Sequence, residues 1–133
     1  MRANLFYDLV LAELELSDRT RARQITAAVF HALRDRLTRQ EAAHARAQLP
    51  VPLKRIWDVG QPLKGTPIRM HRRHFYARVR AEASLGSERQ ARDATFAVFA
   101  ALKEQLSPGE ADDIAAQLPK DLKEVWTMAQ VAA

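Results

Sequence analysis

The chain has no cysteine among its 133 residues. That excludes disulfides, thiolate metal sites and a thiol nucleophile. Glycine is nearly as scarce, at four residues, and neither a glycine-rich phosphate loop nor a Gly-x-Ser-x-Gly nucleophile elbow occurs. Long apolar runs are missing too. The longest, Phe96 to Leu102, is seven residues, against about 20 needed to span a bilayer. At the N-terminus, Leu5, Phe6 and Leu9 to Ala12 are interrupted by Asp8 and Glu13, and no small-residue cleavage site follows. These absences lead to the expectation of a soluble, cytoplasmic protein.

What is present is the composition of a folded domain, 47% hydrophobic and 28% charged. Twenty-one Lys and Arg against sixteen Asp and Glu leave a net charge of +5. Sliding the chain by 69 residues aligns Leu5–Gly60 with His74–Ala129 without a gap, and 24 of the 56 pairs are identical. Gln48-Leu49-Pro50 with Leu53, Lys54 and Trp57 recurs as Gln117-Leu118-Pro119 with Leu122, Lys123 and Trp126. Phe6-Tyr7 recurs as Phe75-Tyr76, and Val29-Phe30 as Val98-Phe99. The chain reads as a tandem duplication, with one repeat over 1–66 and a second over 67–133. A unit of roughly 65 residues is marginal for a core of its own, so the two are expected to share one about a pseudo-two-fold axis.

Each repeat reads as four helices, because no stretch sustains an alternation of period two. The first helix carries Phe6, Leu9, Val10 and Glu13, answered by Phe75, Val79 and Glu82. The second carries Ile25, Val29, Leu33 and Leu37 at four-residue spacing, one apolar stripe. Its counterpart, Phe96 to Leu102, is apolar on every side and reads as a central buried helix. Thr38-Arg39-Gln40-Glu41 and Ser107-Pro108-Gly109-Glu110 read as capping boxes opening the third helix. In such a box the hydroxyl takes a backbone N–H while the glutamate reaches back to the cap. Pro50 and Pro119 stop that helix. A short fourth helix then buries Leu53, Ile56 and Trp57, or Leu122, Val125 and Trp126. The fold class is all-α, about eight helices in one bundle. Ala27 and His31 correspond to Phe96 and Ala100, so bulk moves by one turn between repeats, as expected where two equivalent helices meet.

These elements resemble an uncharacterised bacterial family known as domain of unknown function 2267. The residues that carry the likeness are the aromatic first helix, the turns Leu16-Ser17 and Leu85-Gly86, the Glu41-Ala42 and Glu110-Ala111 helices, and the Gln-Leu-Pro blocks. It covers nearly the whole chain and departs after Trp57, where the family's Gly-Trp stands as Gly60-Gln61. The resemblance implies an all-helical fold and brings no activity, cofactor or site to carry over.

The residues offer little catalytic chemistry. His71 and His74 are three apart, and His31 and Asp35 four apart. There is no HExxH motif and no Glu-x-x-His array, so no metal site or cofactor is expected and the imidazoles read as solvated or locally bonded. Of the four serines, Ser87 and Ser107 sit where helix caps belong. Paired acids such as Asp112-Asp113, or Glu13 with Glu82, read as surface or as partners of helix dipoles. The chain is therefore expected not to be an enzyme. The paired aromatics recur at equivalent helical positions, which favours core over a stacking platform.

The sharpest feature is basic. Lys64, Arg69, Arg72, Arg73, Arg78 and Arg80, with His71 and His74, occupy the connection between repeats and the helix that follows, and no acid lies between Asp58 and Glu82. Arginines so placed can grip an acidic protein or the phosphates of a nucleic acid. The expectation is a small helical interaction or adaptor protein with an unidentified protein partner, using this segment as its contact surface. The alternative is nucleic-acid binding without sequence specificity through the same residues.

Overall fold

The stripe from Ile25 to Leu33 and the run from Phe96 to Leu102 lie on the two longest helices of the computed structural model, which describes residues 1–60 and 67–132. Among those residues every regular element is helical. They are α1 (Ala3–Leu14), α2 (Arg19–Arg36), α3 (Arg39–Ala47), α4 (Val51–Asp58), α5 (Arg72–Glu82), α6 (Glu88–Gln105), α7 (Pro108–Gln117) and α8 (Lys120–Met128). No helix among the described residues is long and apolar enough to cross a membrane.

Helices α2 and α6 pack on each other at the centre. Helix α1 lies mainly across α6, and α5 across both α2 and α6. Helix α4 closes on α2, α8 closes on α6, and α3 meets α7. One continuous apolar cluster results, drawing on residues from Phe6 to Ala129. Its aromatic centres match position for position. Phe30 stands edge-on between Phe6 and Trp57, at centroid distances of 5.6 and 5.3 Å. Phe99 stands in the same way between Phe75 and Trp126, at 5.6 and 5.0 Å. Such edge-to-face pairs add roughly 0.5–1.5 kcal/mol each beyond the area they bury.

The shift of bulk between Ala27/His31 and Phe96/Ala100 lies on α2 and α6, which do meet as expected. Although α2 and α6 touch, the two side chains serve separate crossings. His31 is buried, with Nδ1 2.7 Å from Glu82 Oε2 on α5 and Nε2 2.7 Å from the Ile56 carbonyl on α4. Phe96 lies instead beside Glu13 to Glu15 at the end of α1. One helix crossing is filled by an imidazole between oxygen acceptors, the other by a phenyl ring.

The ends of α4 and α8 are closed from α2 and α6 by side-chain cations. The last carbonyls of a helix lack intrahelical donors, and Arg34 supplies them. Its guanidinium donates to the carbonyls of Trp57 and Val59, each at 2.6 Å, and of Gly60 at 2.9 Å. Lys103, the corresponding residue, donates from Nζ to the carbonyls of Trp126 at 2.7 Å and Ala129 at 2.8 Å. Burial holds the Lys103 ammonium below its ordinary pKa. Arg34 also donates from Nε to Asp35 Oδ1 at 2.8 Å, and Arg78 reaches the other oxygen of Asp35 at 2.8 Å.

Only half of each capping box forms. Thr38 Oγ1 accepts from the Glu41 N–H and Ser107 Oγ from the Glu110 N–H, both at 3.2 Å. The glutamates do not return to the cap N–H groups. Gln117 Oε1 takes the Thr38 N–H at 3.0 Å, and Gln48 Oε1 takes the Ser107 N–H at 2.7 Å. The amide nitrogens of the same glutamines donate back to Thr38 Oγ1 and Ser107 Oγ, each at 3.2 Å. This is the reciprocity of an isologous contact, in which residue i meets j and the counterpart of j meets that of i. It occupies the cap donors and leaves Glu41 and Glu110 to turn inward toward each other. Converting both Gln48 and Gln117 to Ala is expected to lower unfolding free energy by about 1–2 kcal/mol in urea denaturation. A loss under roughly 0.5 kcal/mol would mean that water serves these exposed donors equally well.

Candidate functional site

The basic residues singled out from the sequence are divided by the fold into separate groups. Lys64 lies outside the described residues. Arg78 is drawn into the ion pair with buried Asp35, and Arg80 donates to the Gly86 carbonyl at 3.0 Å, closing the α5–α6 turn. Arg69 and His71 are exposed beside Arg36 and Pro119. The Arg72 backbone N–H donates to Asp121 Oδ2 at 3.0 Å, and His71 Nδ1 lies 3.9 Å from Asp121 Oδ1. His74 is exposed at the start of α5.

Arg72 and Arg73 keep their side chains in solvent and meet a second set of arginines. Helix α6 starts antiparallel to them, capped by Ser87, whose Oγ accepts the Gln90 N–H at 3.1 Å. Its first turns place Glu88, Arg89 and Arg92 opposite α5. Arg72, Arg73, Tyr76, Glu88, Arg89 and Arg92 line an open cleft of about 480 Å³. An adjoining cleft of about 510 Å³ continues along α5 past Ala77, Arg80 and Leu85. Arg73 and Arg89 have no ion-pair or hydrogen-bond partner among the described residues. Arg92 has one loose contact, 3.7 Å to Asp93. Tyr76 forms the floor and is 5% exposed. Burial raises its phenol above the ordinary tyrosine pKa while the nearby Arg72 and Arg92 cations pull it down, so it stays a neutral donor.

Arg89 and Arg92 were not legible as part of this surface. They lie more than fifteen positions along the chain from Arg72, and only the antiparallel packing of α5 on α6 brings them opposite it. The available signal was helical spacing on α6, where residues 89 and 92 share one exposed face.

The corresponding positions in the first half supply an internal control. Residues 69 earlier than Arg72, Arg73, Arg89 and Arg92 are Ala3, Asn4, Thr20 and Arg23, and Glu88 answers to Arg19. Helices α1 and α2 thus form with two arginines, Arg19 and Arg23, at the positions where the second half carries four.

The chain matches the model of the family described as Uncharacterized conserved protein (DUF2267) over residues 3–130. It belongs to that family. No curated protein matches it. Membership in DUF2267 brings no activity or ligand to this cleft, and its chemistry is read from its own side chains.

Proposed function

We propose that this DUF2267 protein is a non-catalytic binding module, a fused pair of four-helix units, that holds an acidic segment of a partner protein in the α5–α6 cleft. One observation carries the reading: four arginines line this cleft, Arg72, Arg73, Arg89 and Arg92, against two, Arg19 and Arg23, at the corresponding positions of the first half. Guanidinium groups are suited to carboxylates, which they bind through two parallel N–H donors. An open cleft lined by two adjacent helices fits an extended or helical peptide better than a small substrate, which is usually enclosed.

Nucleic acid is the second reading, because the same groups can neutralise phosphates. It is less well supported. Tyr76 is the one aromatic ring at the cleft, and its burial leaves no face on which a base could stack.

Fluorescence anisotropy with a labelled Glu/Asp-rich peptide, and in parallel with single- and double-stranded DNA, tests both. At physiological salt the acidic peptide is expected to bind, and Arg73→Glu with Arg89→Glu to weaken it at least about tenfold, or 1.4 kcal/mol. Binding only to DNA, with the same sensitivity to these substitutions, would replace the first reading by the second. Retention of neither ligand at that salt concentration would remove the cleft as a functional surface.

A further inference from the structure

The structure assigns a divalent transition-metal site to Glu41, Glu110 and His44, where α3 meets α7. Glu41 and Glu110 occupy corresponding positions, 69 residues apart, and the contact of α3 with α7 brings their carboxyl groups face to face. Glu110 is 6% exposed and Glu41 9%. Neither Glu41 Oε2 nor Glu110 Oε2 is reached by any hydrogen-bond donor among the described residues. Two carboxyl groups buried side by side, each with one oxygen left unpartnered, are a costly arrangement unless a shared proton or a metal cation sits between them. The fold sacrifices the second half of both capping boxes to reach it, since Gln48 and Gln117 occupy the cap N–H groups to which these glutamates would otherwise bond.

A third ligand is already at the rim. His44 lies one turn beyond Glu41 on α3, and its Nδ1 is 3.9 Å from Glu41 Oε2. One ligand atom from each of Glu41, His44 and Glu110 can be chosen so that all lie within 4.8 Å of one another. Ligands held about 2.1 Å from a tetrahedral ion stand roughly 3.4 Å apart, so closure needs a movement on the order of 1 Å. His44 can supply it, because its side chain is more than half exposed. Two carboxylates and one imidazole form an oxygen–nitrogen set that suits Zn²⁺ and other first-row divalent ions, with water completing the coordination. One Glu-x-x-His unit, Glu41 to His44, is thus present in the chain. Its counterpart reads Glu110 to Asp113, so the pattern does not repeat and forms no array.

Zn²⁺ titration of the EDTA-stripped full chain, followed by calorimetry and thermal melting, tests the assignment. One ion per chain is expected, with a dissociation constant on the order of micromolar and a melting temperature that rises with Zn²⁺. Glu110→Gln preserves the shape of the side chain and the fold, and is expected to weaken Zn²⁺ at least about tenfold, as is His44→Ala. A His71→Ala, His74→Ala double variant is expected to bind as the parent does. No saturable binding at about 100 µM Zn²⁺ would overturn the site and leave the carboxyl pair bridged by a proton alone. Binding that survives Glu110→Gln and disappears in the double variant would overturn it in favour of the surface histidines. Mg²⁺ binding as tight as Zn²⁺ and indifferent to His44→Ala would overturn the three-ligand set.

Discussion

Arg34→Met is expected to destabilise the protein by about 3–5 kcal/mol, the cost typical of removing one partner from a buried ion pair. Arg34 is 5% exposed and Asp35 6%, so neither can recover by hydration in place. The substitution removes three donors from the end of α4 and leaves Asp35 with Arg78 alone. Met fills most of the volume, so the loss reports polar partners rather than a cavity. Arg34→Lys is expected to recover roughly half, since Lys103 closes the matching end of α8 with a single ammonium group. Lys103→Met should be milder than Arg34→Met, because the neighbouring Glu104 is exposed and no buried carboxylate is stranded. Urea denaturation followed by circular dichroism measures all three. A loss below about 1 kcal/mol for Arg34→Met would show that water reaches the α4 carbonyls and Asp35.

The stability of the metal-free protein is expected to fall as pH rises from about 5 to 9, and Glu110→Gln to abolish much of that fall. Burial first, and then the Glu41 carboxyl facing it, push the Glu110 pKa from 4.5 up to about 8. The folded state therefore holds a proton that the unfolded chain releases near 4.5. Where the folded state binds the extra proton, stability decreases with pH. The contribution is complete below about 4.5 and is lost as pH passes through about 8. Near pH 5 the parent protein and Glu110→Gln should be about equally stable, because a protonated glutamate and a glutamine are close in shape and polarity. By pH 9 the variant should be more stable by several kcal/mol, up to about 5, as one pKa unit corresponds to roughly 1.4 kcal/mol. Denaturation series of both proteins in EDTA, at four or five pH values, supply the comparison. A gap between them that stays constant with pH would mean the two carboxyl groups do not share a proton.

Much of the architecture was legible because burial leaves a periodic mark on the sequence. The four-residue stripe on α2 and the apolar run on α6 identified both central helices, and Ile25, Val29, Leu33 and Leu37 are all buried. The prolines set the breaks before α4 and α8. Local chemistry was legible as far as it stayed local: Thr38, Ser87 and Ser107 do cap their helices. The capping boxes failed at the first point where a distant residue competed. A side-chain amide from across the molecule takes each cap N–H, and no periodicity within a helix records that competition. The basic segment shows the same limit. Composition marked it, but Arg78 is consumed by Asp35, 43 residues away in sequence, while Arg89 and Arg92 enter the cleft from another helix.

The absence of cysteine and the scarcity of glycine removed whole classes of chemistry, and hydrophobic spacing with proline punctuation made the chain a set of helices. Those were decided by the sequence alone, because helix formation and helix ends depend on residues within a turn or two of each other. Tertiary packing decided which charges are satisfied. It buried Arg34 and Asp35, set Glu41 against Glu110, and assembled an open arginine cleft from α5 and α6. The physical reason is range. Periodicity and capping act over a few residues, whereas desolvation and Coulomb interactions depend on distances in space that only the packed helices define.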